Sequence, residues 1–374
     1  MGPASLSKRE KNLTTRRELL LIAATAGAER LADAASGRAF PSELKKLTDP
    51  ATEFAILRLT SPEYNANLPT PASRFMSRKS NFMLHSSDRS GGMTAIYKLD
   101  IKSGENTIVA EGQAIEPRFA ALSPDDRGCL YADGESLFTV PLQGGRPREL
   151  YRSVEGWHRY GLPASSEDGI AALWPEQKDT TFRIRLVSTM KPGATIVLES
   201  TEPVADLAPR PRRAGFAYRR GNALWLASYD GQQNYHLRIA PPSFTSAQWT
   251  IDGRSILYLS RPDPPGLSEI REFTPDTNDD KLVAKTSQFA VFGRNADATV
   301  FVGASGSKAS PYLFLLVRAA RRELAIAEHK ANDPTTVLPV FSPNSQRVFF
   351  ETDRDGHRCL YSMTVDKLVD ETEP

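Results

Sequence analysis

Ser342–Met363 reads SPNSQRVFFETDRDGHRCLYSM: a tight polar turn, an apolar strand, a second turn at Asp353-Arg354-Asp355-Gly356, and a second strand. Ser77–Leu99 reads SRKSNFMLHSSDRSGGMTAIYKL, with the same Asp-Arg-x-Gly corner between two strand-like runs. One hairpin therefore stands near both ends of the chain. Five further copies of the turn and strand lie between them: SPDDRGCLYADG from Ser123, SSEDGIAALW from Ser165, RPRRAGFAYRRG from Arg210, TIDGRSILYLSR from Thr250 and GRNADATVFVGAS from Gly293. The spacing is roughly 40 to 50 residues, and most copies are followed by a second strand and a short third one. Four short antiparallel strands at that period are the pattern of a β-propeller blade. A lone blade cannot bury both of its faces, so the unit has to recur around a ring.

The bulk composition agrees with a many-turned β fold. The 374 residues include 27 prolines and 24 glycines, which punctuate many short strands. Apolar residues make up 40% and charged residues 25%, as in an ordinary globular protein. A net charge of +2 gives no reason to expect a nucleic-acid partner, whose footprint would be a clustered basic face. No run approaches the roughly 18 apolar residues that cross a bilayer. Cys129 and Cys359 each lie in an apolar strand pattern and read as buried thiols, with a bridge between them the alternative.

Ring closure predicts one more feature. Phe54–Thr60, in EFAILRLTSPEY, is a strand with no local partner, and the seventh copy ends at VDKLVDETEP without a clear fourth strand. Pairing the two completes the last blade and covers an edge that would otherwise invite aggregation. The segment before it, LTTRRELLLIAATAGAERLADAAS, carries Arg16-Arg17, an apolar stretch to Ala28 and Ala32-Asp33-Ala34. That is the form of a twin-arginine export signal, the other reading being an amphipathic helix. The expected division is residues 1–35 as the signal and 36–374 as a single all-β, seven-bladed propeller domain. The expected setting is periplasmic or secreted, or cytoplasmic if the segment is only a helix.

The repeats resemble those of the TolB-like propellers and, more closely, those of the oligogalacturonate lyase family, over about Leu47–Met363. FPSELKKLTDPATEFAILRLT leading into SSDRSGGMTAIYKLDIKSGE resembles the entry to such lyases. The resemblance implies β-elimination on pectin-derived acidic oligosaccharides, in which a proton α to a carboxylate is removed by a nearby base while the carboxylate is neutralised. It also implies a manganese-like divalent cation held by histidines and a glutamine. The family's His-Pro-His-Pro-x-Phe pattern falls on TVLPVF, so Thr336 and Leu338 stand at the imidazole positions. Ser246 stands near a third, and the neighbourhood of the base reads Tyr218-Arg219-Arg220. No cofactor is therefore evident from the residues themselves.

Of the five histidines, none has a metal-ligand spacing to another. His158, beside Trp157 at the start of the third blade, is the candidate acid or base, the alternative being a structural rim residue. Arg74, Arg118 and Arg210 each precede a blade's first turn, where they are expected either to face the channel and pair with sugar carboxylates or to bridge blades. Trp249, the aromatic after Ser246, joins them as a candidate sugar contact. The Asp88-Arg89 and Asp353-Arg354 corners read as turn architecture, each aspartate bonding its own backbone. The partner is then an acidic oligosaccharide, or an envelope protein if catalysis has been lost, and a monomer is expected.

Overall fold

The computed structural model describes residues 37–239, 244–260, 267–286, 288–320 and 322–370. Seven antiparallel sheets follow one another along the chain, and each is a blade of a seven-bladed β-propeller. Blades 2, 4, 5 and 6 have four strands, with innermost strands Ile115–Leu122, Val204–Pro209, Phe244–Trp249 and Phe289–Arg294. Blade 3 has a divided innermost strand, His158–Arg159 and Ala164–Ser165, both paired with Ala171–Lys178.

One local device recurs between the first two strands of every blade. A backbone N–H donates to the carbonyl five residues on: Ser77 to Phe82, Ser123 to Gly128, Ser166 to Ala171, Arg210 to Gly215, Thr250 to Ser255, Asn295 to Val300 and Ser342 to Arg347, all at 2.8–3.0 Å. In six of the seven the same residue's side-chain oxygen accepts the return N–H, as Ser123 does from Gly128 at 2.7 Å and Ser342 from Arg347 at 3.0 Å. This is why Ser, Thr or Asn recurs there. Three residues further on, the backbone turns left-handed: φ is +55° at Ser80, +58° at Asp126, +73° at Gly169, +66° at Gly253, and +59° at both Ala298 and Ser345. Blade 4 has Arg210 at the first position and turns one residue early, at Arg212 with φ +56°.

The core lies between blades. Phe119, Leu130 and Trp174 pack blade 2 on blade 3, Ile184 and Phe216 pack blade 3 on blade 4, and Leu226 and Tyr258 pack blade 4 on blade 5. Leu257 and Phe301 join blades 5 and 6, while Val302 and Phe350 join blades 6 and 7. Met83 of blade 1, Tyr131 of blade 2 and Phe349 of blade 7 belong to one buried cluster. Every seam of the ring thus buries large apolar side chains, which is the stabilisation a single blade lacks. Cys129 and Cys359 are free and buried in these seams, and burial pushes both thiols up, Cys359 to about 11.

Ala55–Arg58 pairs with His357–Thr364 (Leu57 opposite Ser362), so the strand expected at Phe54–Thr60 completes blade 7. Lys45–Thr48 adds a fifth strand outside it. The segment does more than was expected: Ala39–Phe40 pairs with Asn106–Glu111 at the edge of blade 1. Glu43, between them, accepts from Arg89 at 2.8 Å and from the Ser61 N–H at 2.9 Å. Residues 39–58 therefore fasten blade 1 and blade 7 together. The Asp-Arg corners are architecture by a different bond from the one expected. Asp88 accepts from the Asn65 N–H and amide at 2.8 and 3.0 Å, and Asp353 from those of Asn332 at 3.0 and 2.7 Å.

The candidate site in the central channel

Because each blade begins at its innermost strand, these strands run the same way along the ring axis and define two ends. The entry end is where they start; the turn end is where the seven recurring turns lie. A cavity of about 1910 Å³ runs along them and reaches residues of both ends. Blade 2 is screened from it. Thr70 and Arg74 bond across to Arg118 and Leu122 at 2.9 and 2.7 Å, and the Ser165 N–H donates to Ser73 Oγ at 2.9 Å, so residues 70–74 lie over that blade's innermost strand. Seven arginines and Lys191 line the cavity against three carboxylates, Glu167, Asp168 and Asp206. The channel is strongly basic although the chain is nearly neutral.

The residues singled out from sequence separate into two groups. Arg74, Arg210 and Trp249 line the cavity; Arg118 and His158 are not among its lining residues. Arg74 pairs with Asp126 and donates to the Ser123 carbonyl, fastening blade 1 to the first turn of blade 2. Arg210 donates to the Gly253 carbonyl at 2.7 Å and to Asp276 at 3.1 Å, and its guanidinium lies 4.9 Å from the centre of the Trp249 ring. Trp249 is buried and donates its ring N–H to Ala208 O at 2.9 Å. Arg118, behind the screening segment, pairs with buried Glu351 at 2.6 Å and donates to Leu68 O at 3.2 Å. His158 is 75% exposed with Glu135 3.6 Å away.

Three other arginines of the lining, Arg78, Arg212 and Arg294, form no ion pair among the described residues, and all three stand at the turn end. Arg294 ends blade 6's innermost strand, and its guanidinium is held by carbonyls alone: Trp249 O at 2.8 Å, Asn295 O at 3.1 Å and Ala296 O at 3.4 Å. Burial pulls its pKa down, against the attraction of Glu167 and Asp252. Glu167, in blade 3's first turn, has no hydrogen-bond or ion-pair partner among the described residues. Desolvation raises its carboxyl above the ordinary range, with Arg212, Arg294 and Arg74 opposing and Asp168 assisting. Charges from blades 1, 3, 4 and 6 thus converge over the axis. Arg294 carries no sequence signal of its own, since it stands one residue before the blade 6 turn that Asn295 begins and its charged neighbours come from other blades.

At the entry end, Arg219 pairs with Asp206 and lies 5.3 Å from the Phe244 ring centre. Leu338 lines the cavity with φ +44°, a left-handed backbone that a branched side chain seldom adopts. Ser246 Oγ is buried without a partner among the described residues, and the Thr336 hydroxyl is spent on Asp333 O at 2.8 Å. Among the described residues no histidine lines the cavity. His85 and His329 are buried elsewhere, and His236 is exposed on an outer strand.

The architecture and this basic channel define the class: a seven-bladed β-propeller whose inner strands enclose an anion-attracting cavity. Within that class the chain is a distant homologue of proteins named as oligogalacturonate lyases. It is 22% identical to the oligogalacturonide lyase of Pectobacterium atrosepticum and 21% identical to the oligogalacturonate lyase of Dickeya dadantii, each match covering 90% of this chain and 99% of the relative. No family model matches it. The fold is that of an oligogalacturonate lyase solved with manganese, with a TM-score of 0.82 at 20% identity over 88% of this chain and 98% of that one. It is equally that of the Vibrio parahaemolyticus oligogalacturonate lyase, with a TM-score of 0.82 at 19% identity over 90% and 100%.

The residues here do not fit a divalent cation of the kind the resemblance implies. Thr336, Leu338 and Ser246 offer one committed hydroxyl, an aliphatic chain and one orphan hydroxyl, where a cation needs imidazoles or carboxylates. Among the described residues no three His, Cys, Asp or Glu side chains are placed to hold a metal ion.

Proposed function

We propose that this chain binds pectin-type acidic oligosaccharides in its central channel through guanidinium–carboxylate pairing, without the metal-assisted elimination implied by its resemblance. The observation that carries the reading is the lining of the cavity, seven arginines and a lysine against three carboxylates, with Arg78, Arg212 and Arg294 in no ion pair among the described residues. Planar guanidinium groups bind carboxylates two bonds at a time, which suits a ligand with one carboxylate on every sugar. The volume of about 1910 Å³ exceeds that of an ordinary small-molecule pocket and accommodates an oligomer. Names of the distant homologues support the same ligand class.

Calorimetric titration of the purified chain with trigalacturonate and, in parallel, neutral maltotriose tests this. The expected result is binding of the acidic trimer alone, weakening as salt is raised. Equal affinity for both sugars, or for neither, refutes it. The protein acts as a monomer in this proposal, in a periplasmic or secreted setting supported by the Arg16-Arg17 segment, which lies outside the described residues. A reporter fused to residues 1–35 and retained in the cytoplasm overturns that setting.

A further inference from the structure

We propose that the turn end of the channel holds a dedicated oxyanion site, separate from the entry end, in which Arg294 and Arg212 take a carboxylate or phosphate group and Glu167 gates its occupancy. Only the identity of the ligand rests on the oligosaccharide reading.

Arg294 is the anchor. Three carbonyls from two blades fix its guanidinium through Nε and Nη1, while Nη2 has no partner among the described residues. The ordering of a long side chain is thus complete before a ligand arrives, which removes much of the entropic cost of binding. Its support is layered. Trp249 O holds Arg294, the Trp249 ring carries Arg210, and Arg210 is tied to Gly253 O and Asp276. Arg212, exposed on the blade 4 turn, makes no bond within the fold among the described residues and is free to close on an anion.

Glu167 lines the same cavity as both arginines, and Arg212, Arg294, Arg74 and Asp168 are the charged groups acting on it. No Glu167 oxygen lies within ion-pairing distance of a guanidinium among the described residues, so the basic groups are not neutralised by contact. An anion entering between them raises the carboxyl further and draws a proton onto it. Occupancy is therefore coupled to proton uptake, and affinity falls as pH rises through the Glu167 titration.

The test titrates wild type, Arg212→Met, Arg294→Met, Arg294→Lys and Glu167→Gln with inorganic phosphate, D-galacturonate and trigalacturonate at pH 5 and pH 7. For the oxyanion the site takes, Arg212→Met and Arg294→Met are expected to weaken binding about tenfold or more, Arg294→Lys less. Wild type is expected to bind more tightly at pH 5, and Glu167→Gln to bind more tightly at pH 7 and to lose the pH dependence. Arg212→Met removes no bond of the fold, so its result stands even if Arg294→Met unfolds. Phosphate preferred over galacturonate, with these same effects, keeps the site and assigns it a phosphate ligand; the reverse assigns a uronate. Trigalacturonate binding that ignores all four variants overturns the site and leaves the channel reading standing. Arginine-dependent phosphate binding without any trigalacturonate binding keeps the site and overturns the channel reading.

Discussion

Glu351 ties three parts of the ring together, and its removal is the sharpest test of how the propeller closes. The side chain is fully buried on the second strand of blade 7. It accepts from the Leu68 N–H at 2.7 Å, from Arg118 of blade 2 at 2.6 Å and from Arg358 of its own blade at 2.7 Å. Glu351→Ala leaves two guanidinium groups, each 22% exposed, without their carboxylate and the buried Leu68 N–H without its acceptor. Breaking a buried ion pair from one side costs about 3–5 kcal/mol, and an orphaned buried N–H about 1–3 kcal/mol. A loss of about 4 kcal/mol or more is therefore expected, a large part of the roughly 5–15 kcal/mol that holds a domain folded. Glu351→Gln keeps an acceptor for Leu68 and should lose less. Desolvation, opposed by Arg118 and Arg358, nonetheless raises the Glu351 carboxyl, so burying the charge is itself costly. Replacing all three groups, with Glu351→Leu, Arg118→Met and Arg358→Met, should then recover to within about 2 kcal/mol of wild type. Urea unfolding followed by intrinsic fluorescence measures each variant. A Glu351→Ala loss below about 1 kcal/mol, or a triple variant less stable than the single one, refutes this account of closure.

Three further outcomes follow from the same geometry. Arg118→Met should lower stability while leaving trigalacturonate affinity unchanged in calorimetry, because its guanidinium serves Glu351 and Leu68 O behind the screening segment. His85 is buried with its pKa lowered to about 4 by desolvation and by Arg89, so the unfolded chain takes up a proton that the folded one refuses. Stability is full above about pH 6.5 and should fall by up to about 3 kcal/mol as pH drops toward 4, a limb that His85→Gln flattens in denaturation at several pH values. Gly253 has φ +66°, and an added Cβ would meet the Pro211 carbonyl of the neighbouring blade, so Gly253→Ala should cost about 2 kcal/mol or more in thermal melts.

What the sequence disclosed was local. Six of the seven turns begin with a Ser, Thr or Asn that bonds the residue five places on, and turn left-handed three places on, so Ser77, Ser123, Thr250 and Ser342 announced their blades. The closing strand was legible because an apolar run at Phe54–Thr60 had nothing nearby to pair with. Ala39–Phe40 was not, since two residues carry no period and their partner, Thr107 with Asn106, lies far along the chain. The candidate site was legible only in part, for the same reason: Arg74, Arg210 and Trp249 line the cavity, but Arg118 and His158 do not. Arg74, Arg118 and Arg210 could be placed before their turns, but their partners Asp126, Glu351 and Asp276 come from other blades. Arg294 and Glu167 have no sequence signal of their own: they become neighbours in the electrostatic sense only when blades 3 and 6 face each other across the axis.

The most direct test of the account is a paired measurement on one preparation. Trigalacturonate is titrated calorimetrically and, in the same buffers, absorbance of the unsaturated elimination product is followed, with manganese added or with a chelator present. The account predicts one affinity under both conditions and no manganese-dependent rise in absorbance. Binding that vanishes with the chelator, or product that appears only with manganese, contradicts it.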